Sequence, residues 1–291
     1  MKGEWIDYEG PRGKLNGYLV SPVPAYTSSS LPGVIVVQEV WGVDEHIKDV
    51  TERIAAAGYV ALAPDLYSLG GARPPELEPH RIEAVKAFME SLPPSAWMDQ
   101  EQRDKALDKL PADQRSLVQT SLAMLFGQAR DTEGWVNDLT GAVRFLRAHD
   151  RVRGARIGAF GFCMGGGLTA LLACTENSLS AAGIFYGSSP SADQAAALVC
   201  PTIGFYGEED QRITEGVPAF AKTVAEHGGH FEGYIYPGAP HSFFNDTRSS
   251  YRVDAARHAW AELLRFFGQN LSGELFPPSG TTQVGSQSTT A

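Results

Sequence analysis

The chain has 291 residues, 43% of them hydrophobic and 20% charged, with a net charge of −10. That composition excludes disorder over the whole length. The acidic balance argues against nucleic acid and against an anionic membrane surface as partners. No stretch approaches the roughly 20 consecutive apolar residues of a membrane span.

In chain order, Ile6 to Tyr8 and Leu15 to Val20 predict short, half-buried strands. Gly33 to Val40 (GVIVVQEV) is a β-branched apolar run, as in a strand buried on both faces. Glu45 to Ala57 predicts a helix closed by Gly58 at a C-cap position, and Tyr59 to Pro64 a second buried strand. From about Pro74 to Arg130 the alternation is interrupted. Two helical stretches, His80 to Leu92 and Asp104 to Gln128, are broken by Pro93-Pro94 and by Pro111, and predict an insertion over one end of the sheet. Thr132 to His149 carries Trp135, Leu139, Val143 and Leu146 on one helical face. Arg156 to Phe162 predicts a strand and Met164 to Cys174 a helix. Strands at Ala181 to Tyr186, Thr202 to Tyr206 and Phe231 to Tyr236 follow, with helices at Val217 to His227 and Val253 to Gly268. This order predicts an α/β protein: a mostly parallel, twisted sheet of about eight strands with helices on both faces. One domain over residues 1–272 is expected, with the insertion at about 74–130. Residues 273–291, rich in Ser, Thr, Gly and Gln, predict a disordered tail.

The three cysteines, Cys163, Cys174 and Cys200, form no disulfide framework and no C-x-x-C pair. Met1-Lys2-Gly3-Glu4-Trp5 lacks a basic region leading into an apolar core, so a reduced, cytoplasmic protein is expected. His227, His230 and Glu232 straddle a helix end and a strand start. Neither a metal nor any other cofactor is expected.

The chemistry concentrates at Gly161-Phe162-Cys163-Met164-Gly165. A strand runs into a helix through G-x-C-x-G, a nucleophile elbow with cysteine in place of serine. Side chains at the glycine positions would collide with the neighbouring strand and helix. The turn lifts the sulfur above the sheet, where the helix N-terminus favours a thiolate. Elbows take their partners in the order nucleophile, acid, histidine. Glu208-Glu209-Asp210 follows the strand after next, and His241 follows the strand beyond that. Asp210 is the candidate acid, with Glu208 or Glu209 able to substitute, and His241 the candidate base. Cys174 and Cys200 read as buried apolar residues.

These motifs, with Gln38-Glu39-Val40-Trp41-Gly42, Pro64-Asp65-Leu66-Tyr67 and Gly238-Ala239-Pro240-His241-Ser242-Phe243, resemble the dienelactone hydrolase (carboxymethylenebutenolidase) family of the α/β-hydrolase fold. The resemblance covers roughly Leu15 to Phe267. It implies Cys163 as nucleophile, His241 as base and Asp210 as its orienter. It also implies a catalytic Glu39 beside the thiol, and an oxyanion hole from the N–H groups of Met164 and Val40. Trp41 is either a wall of the acyl pocket or a core residue. The founding enzymes hold a substrate carboxylate with two arginines. Arg248 stands a few residues later than the family pattern and is either one of them or a surface residue. Arg73 and Arg81 are both candidates for the other. The implied activity is opening of lactones or cleavage of activated esters, with a small-molecule substrate and a monomeric or homodimeric enzyme. A general carboxylesterase or thioesterase, a non-catalytic binding protein and a thiol redox sensor are the alternatives. The acid and histidine speak against the last two, which need neither.

Overall fold

The computed structural model describes residues 2–22, 30–97, 99–127 and 131–272. The predicted tail at 273–291 lies outside the described residues.

Strands β1 (Glu4–Gly10) and β2 (Gly13–Val20) form an antiparallel hairpin. Then come β3 (Gly33–Val37), α1 (Glu45–Ala56) and β4 (Val60–Asp65). Three helices follow in the interrupting segment: α2 (Pro79–Glu90), α3 (Gln100–Leu107) and α4 (Ala112–Phe126). The alternation resumes with α5 (Thr132–Ala148), β5 (Ile157–Phe162), α6 (Met164–Thr175) and β6 (Ala181–Phe185). Short helix α7 (Ala192–Ala195), β7 (Thr202–Gly207) and short helix α8 (Gln211–Thr214) come next. The chain continues through α9 (Val217–Glu226), β8 (Phe231–Tyr236) and α10 (Val253–Leu271).

The eight strands form one sheet in the order β1-β2-β4-β3-β5-β6-β7-β8. β2 pairs antiparallel with β4, and every pair from β4 through β8 is parallel. This is the α/β architecture that the sequence predicts. Alternate side chains of β3 explain the layers. Val34 and Val36 pack with α1 and α10 on one face, while Ile35 and Val37 pack with α5 and α6 on the other. A central strand so covered has no polar position, which is why it reads as a continuous apolar run.

Two differences from the sequence expectation bear on the site and the segment over it. β3 ends at Val37 rather than Val40, because the chain turns sharply out of the sheet. Glu39 and Gly42 close that turn as an isolated antiparallel bridge, with Gly42 at φ +81°. Gln38 is buried in the corner, its Oε1 accepting from the Leu66 N–H at 3.2 Å. In the interrupting segment the second helical stretch begins earlier, at Gln100, because Asp99 caps it through the Gln102 N–H at 3.1 Å. Pro111 divides it, since proline lacks the N–H that a continuous helix needs.

Helices α2, α3 and α4 bury Ile82, Val85, Phe88, Leu107, Val118 and Leu122 with Val40, Trp41 and Tyr67. Their core is therefore continuous with the corner after β3. The turn from β5 into α6 lies beside that corner. A Cβ at Gly161 would stand 2.4 Å from the Gly165 carbonyl oxygen. A Cβ at Gly165 would stand 2.3 Å from the Gln38 oxygen and 2.5 Å from the Val37 oxygen. Backbone atoms on both sides leave nothing flexible to yield. Gly165→Ala should therefore cost about 1–3 kcal/mol, the usual penalty of an overpacked core. A urea melt checks this, and the expected result is a lower midpoint with an unchanged slope.

Candidate active site

Cys163 occupies the tip of the turn between β5 and α6, with φ +54° and ψ −115°. A non-glycine residue in that conformation costs on the order of 1–3 kcal/mol and persists only where its surroundings enforce it. Here the Cys163 N–H donates to the Phe185 carbonyl of β6 at 3.0 Å, and its own carbonyl accepts from Gly167 at 3.2 Å. The side chain is half-buried, whereas Cys174 and Cys200 are buried. Burial pushes those two thiols up, to about 11 and about 12, so at neutral pH both are protonated and inert.

Asp210 caps the first turn after β7, and His241 lies on the loop after β8. Their side chains meet, His241 Nδ1 standing 2.5 Å from Asp210 Oδ2. The ring stands near enough to Cys163 for the charge of that sulfur to act on it. Burial alone would lower the imidazole. The charge that Cys163 carries once its proton has left, and the Asp210 carboxylate, outweigh it and push His241 up to about 10. The neighbouring carboxylates are placed differently. Glu208 accepts from the Gly238 N–H at 2.9 Å and so braces the histidine loop, while the Glu209 side chain is exposed.

Glu39 is 2% exposed, not a solvated strand-end carboxylate. Its Oε1 accepts from the Tyr186 hydroxyl at 3.3 Å and its Oε2 from Asn245 Nδ2 at 3.0 Å. Neither partner is evident in the sequence. Tyr186 follows β6 directly at φ +40° and is fully buried, with its ring edge-on to His241 at 5.1 Å. Burial, then the negative charges of Glu39 and Cys163, hold its phenol well above the ordinary range, so it remains a donor. Tyr186 thus touches Glu39 and His241 and feels the charge of Cys163. The available signal was its place just past the fourth parallel strand, next to the residue whose carbonyl holds the elbow.

The corner after β3 places Val40 beside this cluster, and the Tyr67 hydroxyl donates to its carbonyl at 2.8 Å, fixing that peptide. Met164 begins α6, where backbone N–H groups have no acceptor within the helix. Trp41 is buried, and Arg248 is only 8% exposed rather than a surface residue, its guanidinium 4.9 Å above the Trp41 ring. Arg73 pairs with Asp65 at 2.5 Å. Arg81 is bonded to Ser121, Thr120 and the Leu117 carbonyl of α4. Among the described residues no three His, Cys, Asp or Glu side chains are grouped to hold a metal ion. No helix is long and apolar enough to cross a membrane, again among the described residues.

An eight-stranded sheet of this order, with a strained elbow and an Asp-His pair beyond later strands, defines an α/β hydrolase. Residues 15–271 match the dienelactone hydrolase family, and the chain belongs to it. It is a hydrolase acting on esters or lactones. A Saccharolobus solfataricus protein bearing the name carboxymethylenebutenolidase is 30% identical over 262 residues, 90% of this chain and 96% of that protein. A Bradyrhizobium protein named as a 2-oxo-3-(5-oxofuran-2-ylidene)propanoate lactonase is 30% identical over 284 residues, 93% and 96% of the two chains. The crystal structure of a dienelactone hydrolase from Klebsiella pneumoniae superposes with a TM-score of 0.64 at 27% identity, covering 92% of this chain and all of that one.

The raised His241 has a consequence for stability. Its folded value, about 10, lies above the ordinary 6.5. The stabilisation is therefore complete below about pH 6.5 and is lost as pH rises through about 10. The stability difference between wild type and His241→Ala should shrink steadily over that interval. Urea melts at pH 6.5, 8 and 10 measure it.

Proposed function

We propose that this chain opens lactones or cleaves activated esters through Cys163, with His241 as base and Asp210 as its orienter. The observation that carries the reading is the run of contacts from Asp210 through His241 to Cys163, at the carboxyl ends of three parallel strands. His241 takes the thiol proton, and the sulfur attacks the ester carbonyl. The N–H groups of Val40 and Met164 receive the charge that develops on its oxygen. The carbon–oxygen bond then breaks. The imidazolium returns its proton to the leaving oxygen, which in a lactone stays tethered to the acyl chain. Water, deprotonated by His241, attacks the thioester, and expulsion of the thiolate frees the acid.

A plain esterase needs nothing further. Glu39 is the feature that favours the lactone chemistry of this family, because a buried carboxylate so near the thiol serves no need of a triad alone. Tyr186 and Asn245 hold it, so it acts when substrate shifts it from their grip. Trp41 forms the wall of the acyl pocket beside Val40. Arg248 is the cation available to a polar group of the substrate, whereas Arg73 and Arg81 are engaged in structural contacts.

Iodoacetamide should label Cys163 far faster than Cys174 or Cys200 and abolish aryl-ester hydrolysis in proportion, read by peptide mapping beside the activity assay. Asp210→Asn should lose at least about a hundredfold in kcat, as in triads whose acid fixes the histidine tautomer. Activity that survives complete labelling of Cys163 overturns the assignment.

Glu39→Gln should act in two opposite directions. Removing a negative charge near the sulfur lessens the repulsion on a developing thiolate, so alkylation without substrate should quicken. Lactone turnover should nevertheless fall, because the substrate-triggered step is gone. Simple damage to the site would lower both rates.

A further inference from the structure

Arg248 and Glu90 form a contact that the hydrolase fold does not require. Arg248 lies on the loop that carries His241, and its N–H bonds to the carbonyl of Asn245, the residue that holds Glu39. Its guanidinium is buried against Trp41, one residue beyond Val40. Nη1 is 2.5 Å from Glu90 Oε1. Nη2 is buried with no hydrogen-bond partner among the described residues. A buried cation normally satisfies its donors, and a guanidinium fork is suited to two oxygens at once. Half of this fork is empty.

Glu90 is the last residue of α2, and that helix has no basic residue in its last turn. A carboxylate there faces the negative end of the helix dipole, which is locally unfavourable. The Glu90 side chain is 49% exposed, so solvent screens the pair and keeps its strength modest. Its placement does not serve the helix. What it does is cancel the charge of Arg248 from the interrupting segment that packs over the corner after β3.

We propose that Glu90 is a specificity-determining residue. Its carboxylate occupies Arg248 in place of a substrate carboxylate, so the site selects uncharged lactones and esters over carboxylate-bearing ones. A charged substrate meets a pair already neutral, with Glu39 close by, and must first displace Glu90. An uncharged substrate leaves the Glu90–Arg248 pair in place. This rests on the hydrolase reading above and names the substrate class of that site.

The test compares 4-nitrophenyl hexanoate with mono-4-nitrophenyl adipate, which carries a carboxylate in place of the terminal methyl. Wild type should prefer the hexanoate. Glu90→Gln should raise the adipate-to-hexanoate ratio of kcat/KM by roughly five- to tenfold, mainly through KM for the adipate. Glu90→Asp, which keeps the charge, should retain most of the wild-type preference. In an Arg248→Met background, Glu90→Gln should move the ratio by less than about twofold. A second readout needs no turnover: the concentration of free adipate that half-protects Cys163 from iodoacetamide should fall several-fold in Glu90→Gln. If protection shifts while neither ester is hydrolysed, charge selection stands and the hydrolase reading fails. A wild type that prefers the adipate overturns the inference. So does Glu90→Gln, folded by urea melt, that moves neither the ratio nor the protection.

Discussion

The rest of the structure depends on how closely the first turn of α6 approaches the carboxyl ends of β3 and β5. Gly161 and Gly165 allow backbone to lie against backbone there, with no room for a Cβ at either. That contact holds Cys163 in a left-handed conformation its side chain would not adopt freely, and lifts the sulfur clear of the sheet. The same approach ends β3 at Val37 and turns its continuation outward. Glu39, Val40 and Trp41 thereby leave the sheet together at that corner.

Around this fixed point the loops bring polar groups that are individually unremarkable. Asp210 and His241 come from the ends of β7 and β8, and Glu208 braces the second loop by binding the Gly238 N–H. Tyr186 and Asn245 hold Glu39 from two further elements. A buried carboxylate with two neutral donors is satisfied without a cation. It can therefore remain buried without an ion pair.

The interrupting segment joins the site through Trp41 and Arg248. Its apolar core merges with Val40 and Tyr67, so the position of α2 is mechanically tied to the corner after β3. It sends Glu90, at the end of α2, toward the histidine loop. A segment outside the sheet thus sets a charge against the histidine loop without alteration of the elbow.

The sequence by itself determined the strand and helix order, the elbow and the candidate acid and histidine. Each of these rests on local physics. Buried parallel strands must be apolar on both faces, an elbow must carry glycines at two fixed positions, and its partners must follow at strand ends. Only the tertiary structure decided which carboxylate meets His241. Glu208, Glu209 and Asp210 are consecutive, and their directions depend on how the loop after β7 packs against the loop after β8. It alone buried Glu39, since burial comes from Tyr186 and Asn245, 147 and 206 residues away along the chain. It also separated Arg248 from Arg73 and Arg81. All three have the same side-chain chemistry, but Arg73 and Arg81 use it on Asp65 and on α4, while Arg248 is buried with Nη2 unpartnered among the described residues. Such partners are chosen by packing across elements distant in sequence, and no local pattern of residues encodes them.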